Sequence, residues 1–246
     1  MVTGGSRGIG RAVCEHFARE GANLAINYAS NAAQAREVAD EAGKLGVRAE
    51  IYQADVADQG AVQSMCEKAI ADFGQIDILI NNAGIGSSAV NRPTITGATD
   101  DQYALLLGVN LWGPIHMCRA LVPHMRAAPR SDVIMLSSIA AQTMGARMGL
   151  YSIGKAAAEA LAHTLAKEER VHGMRVNIVA PGLVDTDMGR KLVATLGMDN
   201  IRDRDAQAPF GFVCTADDIA ATITFLCSED ARYITDERVT VAGGLF

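Results

Sequence analysis

Tyr151 and Lys155 lie four residues apart, and Ser138 precedes Tyr151 by thirteen. On a helix, positions i and i+4 share a face, so the phenol and the ammonium point the same way. A free tyrosine titrates near 10, and a cation within about 4–6 Å lowers that by about 1–3. A phenol tuned in this way exchanges a proton near neutral pH. A serine hydroxyl beside it holds the oxygen that receives the proton. Such a trio reduces a carbonyl or oxidises an alcohol, provided that a hydride source is at hand.

The start of the chain offers a place for one. Thr3-Gly4-Gly5-Ser6-Arg7-Gly8-Ile9-Gly10 follows a short β-branched stretch and opens a helical pattern. Glycines allow a tight turn and let backbone amides approach a pyrophosphate at a helix N-terminus. Taken alone, such a turn is equally well a plain loop. The spacing Gly4, Gly8, Gly10 departs from GxGxxG. With Asp55-Val56 after a strand, Asn81-Asn82-Ala83-Gly84 after an apolar run, Asn110, the Ser138–Tyr151–Lys155 trio, Pro181-Gly182 and Thr186, it resembles the short-chain dehydrogenase/reductase family over essentially the whole chain. Within that family the pattern is most similar to 3-oxoacyl-acyl-carrier-protein reductases.

The resemblance implies roles residue by residue. Ser138, Tyr151 and Lys155 are catalytic, and Lys155 also bonds the nicotinamide ribose. Asn110 bends its helix and holds a water that links Lys155 to solvent. Asp55 meets the adenine amino group, with Val56 beside the ring. Asn82, Ala83 and Gly84 stabilise the central strand and pass near the adenosine ribose. Pro181 and Gly182 turn the chain, and Val184 and Thr186 orient the nicotinamide carboxamide. Segment 188–213 is a flap over the substrate. Two long helices, 100–125 and 151–171, assemble dimers or tetramers, and Leu107, Leu111, Ala157 and Leu161 are candidate contacts. Ser137 adjoins Ser138, but successive strand residues point to opposite sides. The spacing to Tyr151 picks Ser138.

Cofactor choice is legible at the second strand. NAD enzymes place an acid at its end for the ribose 2′-hydroxyl. Here the strand ends Asn27-Tyr28-Ala29-Ser30-Asn31, with no acid. Arg7 offers a guanidinium to a 2′-phosphate, and Tyr28, Ser30 and Asn31 line the same end. NADP(H) is therefore expected over NAD(H). Asp185 and Asp187 share a loop and are read as solvated carboxylates; no metal is expected.

The elements that must position these residues alternate. Strands are predicted over 24–27, 49–53, 78–80, 133–136, 176–179 and 239–241, and helices over 8–20, 32–45, 61–73, 100–125, 151–171 and 217–227. Strict alternation predicts one α/β domain over 1–246, a Rossmann-type doubly wound parallel sheet with helices on both faces. Ligands then gather at the carboxyl ends of the strands, at the switch point. Only Met1-Val2-Thr3 precede the first glycine, short for a central strand of about 5–6 residues, which raises the expectation of residues before Met1.

Bulk properties bound the function. Apolar residues make up 49% of 246, enough for a large core, and the net charge of −6 argues against nucleic acid. No apolar run reaches about 18 residues, so no membrane span is expected. Five scattered cysteines without a CxxC pair fit reduced thiols in a cytoplasm. The expected activity is NADP(H)-dependent reduction of a small-molecule ketone, with a 3-oxoacyl thioester and its acyl-carrier protein as one option. Arg126, Arg130, Arg170 and Arg175 are candidates for a basic patch at the site entrance for such a carrier. Sugar, polyol or steroid dehydrogenation is the alternative, and a dinucleotide-sensing regulator of the same fold is a third reading.

Overall fold

The computed structural model describes residues 1–244 of the chain; Leu245 and Phe246, the last two residues of the expected domain, lie outside the described residues. The elements run α1 (Gly8–Arg19), β1 (Leu24–Tyr28), α2 (Ala32–Lys44), β2 (Ala49–Gln53), α3 (Gln59–Phe73), β3 (Ile78–Asn81), α4 (Asp100–Leu107), α5 (Gly113–Met125), β4 (Ser131–Leu136), α6 (Ala140–Thr143), α7 (Gly149–Glu169), β5 (Met174–Pro181), α8 (Asp187–Ala194), α9 (Ala216–Leu226) and β6 (Arg238–Val241).

All the strand pairs are parallel, with β1 on β2 and β3-β4-β5-β6 in order. The two groups meet at the N-terminus. Val2 bridges Ile26 of β1 on one side and Ile80 of β3 on the other. The three residues judged short for a central strand do fill that place, with one bridged residue as the rung between two halves. The strand order reverses there, and the glycine turn follows at once. One buried cluster joins α1, α2 and α9 to one face of the sheet; a second joins α3, α5 and α7 to the other. This is the expected doubly wound layering.

The sequence predicts an unbroken helix over 100–125. The backbone runs on from Asp100 to Met125, but residues Gly108–Trp112 form a π-turn between α4 and α5. The same stretch corrects the membrane reading, because it is long and apolar enough to span a bilayer by composition. Part of it faces protein instead: Leu106, Met117, Leu121 and Met125 are fully buried, while Leu105 and Trp112 are exposed.

Segment 188–213 is more ordered than its charge pattern predicts. Thr186 caps α8 by accepting from the Gly189 amide. Val193, Ile201 and Val213 form a small core of their own. Asp185 is held by Arg190 at 2.9 Å and Arg202 at 3.1 Å, and Asp187 faces Arg7 and Arg190. These carboxylates, read as solvated, are ion-paired.

A buried amide ties the β1 end to the glycine turn. Asn27 accepts from the Gly4 amide at 3.2 Å and donates to the Ala54 carbonyl at 3.0 Å. Asn27→Ala leaves both without a partner and is expected to lower the unfolding free energy by about 1–3 kcal/mol, measured by urea denaturation. An unchanged midpoint would show that water replaces the amide there.

Candidate active site

The glycine turn is built by backbone conformation and close approach. Gly4 and Gly8 hold φ of 61° and 52°, which favours glycine. A Cβ on Gly10 would overlap the Gly4 carbonyl oxygen and sit 2.5 Å from Asn82 Nδ2. Asn82 explains the fit. Its amide donates to the carbonyls of Thr3 at 2.8 Å and Gly4 at 3.1 Å. The Thr3 hydroxyl in turn accepts from the backbone of Asn82 and Ala83, each at 2.9 Å. The β3 end thus locks the turn. No side chain caps the N-terminus of α1, and no acid lies in its first turn. Its amides remain open to an anion, and Ser6 and Ile9 flank them half-buried. A dinucleotide pyrophosphate fits such a terminus.

The remaining cofactor candidates divide by what their side chains already do. Tyr28 is buried at the β1 end, and Ser30 is exposed beyond it. Asn31 caps α2 by accepting from the Gln34 amide, so its oxygen is engaged. Asp55 is exposed and accepts from the Ala57 amide at 2.9 Å, a turn role beside any ligand role. Val56 was expected to lie beside a ring. Its side chain is buried, and a Cβ on Gly113 would come within 2.7 Å of it. It packs against the start of α5. Arg7 is exposed and 3.4 Å from Asp187. Such an exposed pair is weak, so the guanidinium is easily redirected. Pro181 accepts from the Ile139 amide, and Gly182 donates to Val241. Val184 is buried, and Thr186, while capping α8, lies beside Gly8.

Four side chains converge beyond the ends of β3 and β4. Lys155 is 5% exposed, and its Nζ donates to the Leu136 carbonyl at 2.7 Å. It lies 5.9 Å from the centre of the Tyr151 ring, one helical turn back. Ser138 follows β4, and its hydroxyl accepts from the Ala140 amide at 3.2 Å while also bonding the Tyr151 phenol. Asn110, 1% exposed in the π-turn, clamps the backbone of Ile85: it donates to the carbonyl at 2.8 Å and accepts from the amide at 2.9 Å. Gly84 lies between these groups. A Cβ there would be 3.1 Å from Asn110 Oδ1 and 3.5 Å from Lys155 Nζ. Gly154 lets Asn110 pack against α7, where a Cβ would sit 3.2 Å from the asparagine Cβ.

The electrostatics differ from the expected tuning in one respect. Burial raises Tyr151 above the ordinary tyrosine value, against which the Ser138 hydrogen bond acts. The lysine was expected to pull the phenol down. Desolvation raises it instead, and the opposing pull comes from Ser138 and not from the lysine. Burial also brings Lys155 down to about 8, opposed by the charge of Glu159. The tyrosine is therefore a protonated donor at neutral pH, and the lysine is the group that titrates close to it.

The basic patch expected at the entrance lies elsewhere. Arg130 and Arg175 stand at the starts of β4 and β5, the far edge of the sheet from Ser138. With Arg170 they line a concavity of about 500 Å³ there. Arg126 is bound to Glu169 at 2.6 Å, and Arg175 to Asp132 at 2.7 Å. Asp132 ends up near 6, because burial outweighs its two arginines.

Sequence reading passed over two side chains of this region. Glu159 and Arg238 form an ion pair at 2.9 Å behind Lys155. They are 79 positions apart, so no local pattern signals them. Asn27 was read as a strand end only, although a buried asparagine there is a signal for a backbone tie.

A nucleotide-ready turn at a sheet switch point, with a serine, a tyrosine and a buried lysine beside it, defines a dinucleotide-dependent enzyme scaffold. The family model described as enoyl-(acyl carrier protein) reductase matches residues 4–246. A 3-oxoacyl-[acyl-carrier-protein] reductase of Staphylococcus epidermidis is 33% identical over 247 residues, covering 100% of this chain and 98% of that protein. Among solved structures, an L-sorbose reductase from Gluconobacter frateurii, complexed with NADPH and L-sorbose, overlays with a TM-score of 0.91 at 32% identity, covering 99% of this chain and 94% of that one. A short-chain dehydrogenase from Burkholderia cenocepacia in complex with NADP overlays at 0.88 with 33% identity over 99% and 95% of the two chains. The chain belongs to the short-chain dehydrogenase/reductase family.

Gly10→Ala is expected to push the turn away from Asn82 and weaken NADPH binding at least tenfold. Titration by the change in nucleotide fluorescence reads this, with circular dichroism as the control for folding. Native affinity in a folded variant would show that the turn does not seat the pyrophosphate.

Proposed function

We propose that this oxidoreductase of the C=O/CH–OH class uses NADP(H) to reduce a ketone to a secondary alcohol, with Tyr151 as the proton donor. The observation that carries this reading is the convergence of Ser138, Tyr151, Asn110 and a buried Lys155 next to an uncapped helix N-terminus. A bound nicotinamide nucleotide supplies the hydride. Gly4, Ser6, Gly8, Ile9 and Gly10 cradle its pyrophosphate, and Lys155 anchors its nicotinamide ribose. Arg7 and Ser30 face the 2′-phosphate, and the missing acid at the β1 end lets that phosphate in.

The protein's own groups then divide the work. Ser138 donates to the substrate oxygen and orients it. Tyr151 delivers its proton to that oxygen as charge develops. The Lys155 ammonium stabilises the phenolate left behind, a preorganised charge in a water-poor site. Asn110 holds the Ile85 backbone in place and keeps open the route by which the proton is restored. Segment 188–213 serves as the flap. Met144, Met148 and Met188 border these segments and suit a partly apolar substrate.

A 3-oxoacyl thioester on an acidic carrier is the first candidate substrate, supported by the likeness to the staphylococcal reductase. A free sugar ketone is the second. It is favoured by the position of the arginines at the far edge of the sheet and by the overlay on the sorbose enzyme. NADPH-coupled turnover with acetoacetyl thioesters beside ketoses separates the two, since the carrier reading requires the thioester to win. The cytoplasm is the proposed compartment. Leu105, Trp112 and Ile153 stand exposed on neighbouring helices, whereas Leu107, Leu111, Ala157 and Leu161 are half-buried. That apolar face supports a homodimer or homotetramer, readable as mass in solution.

Tyr151→Phe is expected to keep NADPH affinity and lose about 10²–10⁴-fold in kcat; near-native turnover would overturn the assignment. Ketone reduction is expected to decline as pH rises through about 8, where the Lys155 ammonium loses its proton. A rate profile flat to pH 10 would remove the ammonium from the mechanism. The KM for NADPH is expected to lie well below that for NADH, and the reverse order would refute the cofactor assignment.

A further inference from the structure

The back of the site holds a buried polar relay. Glu159 lies one helical turn after Lys155 on α7, as Tyr151 lies one turn before it. Its carboxylate accepts from the Ser137 hydroxyl at 2.5 Å and from Arg238 Nε at 2.9 Å. Arg238, on β6, also donates to the Thr240 hydroxyl at 2.6 Å and to the backbone carbonyl of Ser138 at 3.2 Å. Ser137, which points away from the substrate side, is therefore tied to the same anion that Arg238 uses to reach Ser138. A buried charge pair of this kind is no stability device in itself, since apolar replacements often do as well. Its position calls for another reason.

Lys155 supplies one. Its ammonium is buried and donates to a neutral carbonyl, that of Leu136. The groups that face it are few among the described residues. β4 brings the Leu136 carbonyl. The π-turn brings the neutral amide of Asn110, the loop after β3 brings Gly84, and α7 brings Tyr151 and Glu159. Glu159 is the one acid in that set. Arg238 from β6 lies on its other side. His163, a further turn along α7, is engaged by Asp236 at 2.6 Å.

We propose that Glu159 is a positioning residue of the reaction: its buried carboxylate keeps the Lys155 ammonium charged and, through Arg238, fixes the backbone that carries Ser138. The inference rests on the reading of Lys155 as the ammonium that serves Tyr151. It assigns to one anion two tasks, one electrostatic and one geometric. Arg238 and Ser137 both donate to Oε1 of that carboxylate and hold it in place behind the lysine. Desolvation pulls the lysine down to about 8 and Glu159 opposes the fall.

The test is a proton titration that does not need turnover. Protein labelled with ¹³C-lysine shows a Cε resonance for Lys155, identified by its loss in Lys155→Met. Its midpoint is expected near 8 in the native chain and lower by about 0.5 or more in Glu159→Gln. Where Glu159→Gln costs Arg238 its carboxylate partner and the chain fails to fold, Arg238→Gln is read instead: without the guanidinium the carboxylate acts on the lysine unopposed, and the Lys155 midpoint is expected to rise. In kinetics, the alkaline limb of kcat for ketone reduction moves with the Lys155 midpoint in each variant, while KM for the ketone changes less than twofold. Glu159→Asp restores the limb toward its native position. An unmoved Lys155 midpoint in a folded variant overturns the inference, as does a lower kcat with the limb in place, which marks a merely structural role. If the native chain reduces no ketone at all, the functional reading falls instead, and the lysine titration still decides whether Glu159 acts on Lys155.

Discussion

A positive charge held out of water is the constraint around which the site is organised. An ammonium in the interior loses hydration worth several kcal/mol. Lys155 recovers part of it from the Leu136 carbonyl and from a carboxylate one turn away. Each neighbour follows from that need. Gly84 is small so that the loop after β3 passes close to the Nζ, and Gly154 is small so that the helix bearing Asn110 packs near it. The tyrosine gains its environment from the same dry surroundings. Burial holds its proton on, and the Ser138 hydroxyl acts against that rise.

The fold delivers these groups by topology more than by local preference. The sheet reverses its winding at Val2, and both the glycine turn and the β3 loop leave from that seam. Thr3 and Asn82 bond across it, so the glycine turn and the loop that reaches Lys155 are one hydrogen-bonded unit. Ser138 and Tyr151 lie one strand further over. The same geometry keeps the arginine-lined concavity at the amino ends of β4 and β5, out of reach of the chemistry.

Much of this was legible in the sequence because the strands are short β-branched runs bounded by polar or glycine breaks. The 49–53 strand agrees residue for residue, and the 24–27 and 78–80 strands each extend by one. β5 begins two residues before the predicted 176, since Met174 and Arg175 break the β-branched run yet still pair with β4. The helix α8 was not placed, although Thr186 and Asp187 are an ordinary cap and first turn; eight residues give too little periodicity to stand out against the surrounding charge. Asn110 was flagged by its poor fit to a helix interior, which was the right signal. The π-turn itself has no signature in residue type, because it depends on what α7 and Ile85 require of that amide. The sign of the Tyr151 shift was misread for a related reason. Spacing reveals a neighbouring charge, but not how much water the fold has removed. The Glu159–Arg238 pair joins a helix to the last strand, and only the assembled sheet brings the two together.

The five-residue turn at Gly108–Trp112 has a consequence for how this stretch can vary. One surplus residue in a helix offsets everything after it by about 100° of rotation. The offset lets α4 show Leu105 outward while α5 lays Met117 and Leu121 on the sheet. A one-residue deletion here would mend the hydrogen-bond ladder and swing that stripe off the core. Amino-acid identity in the segment is therefore freer to drift than its length, except at the asparagine whose amide the irregularity aims.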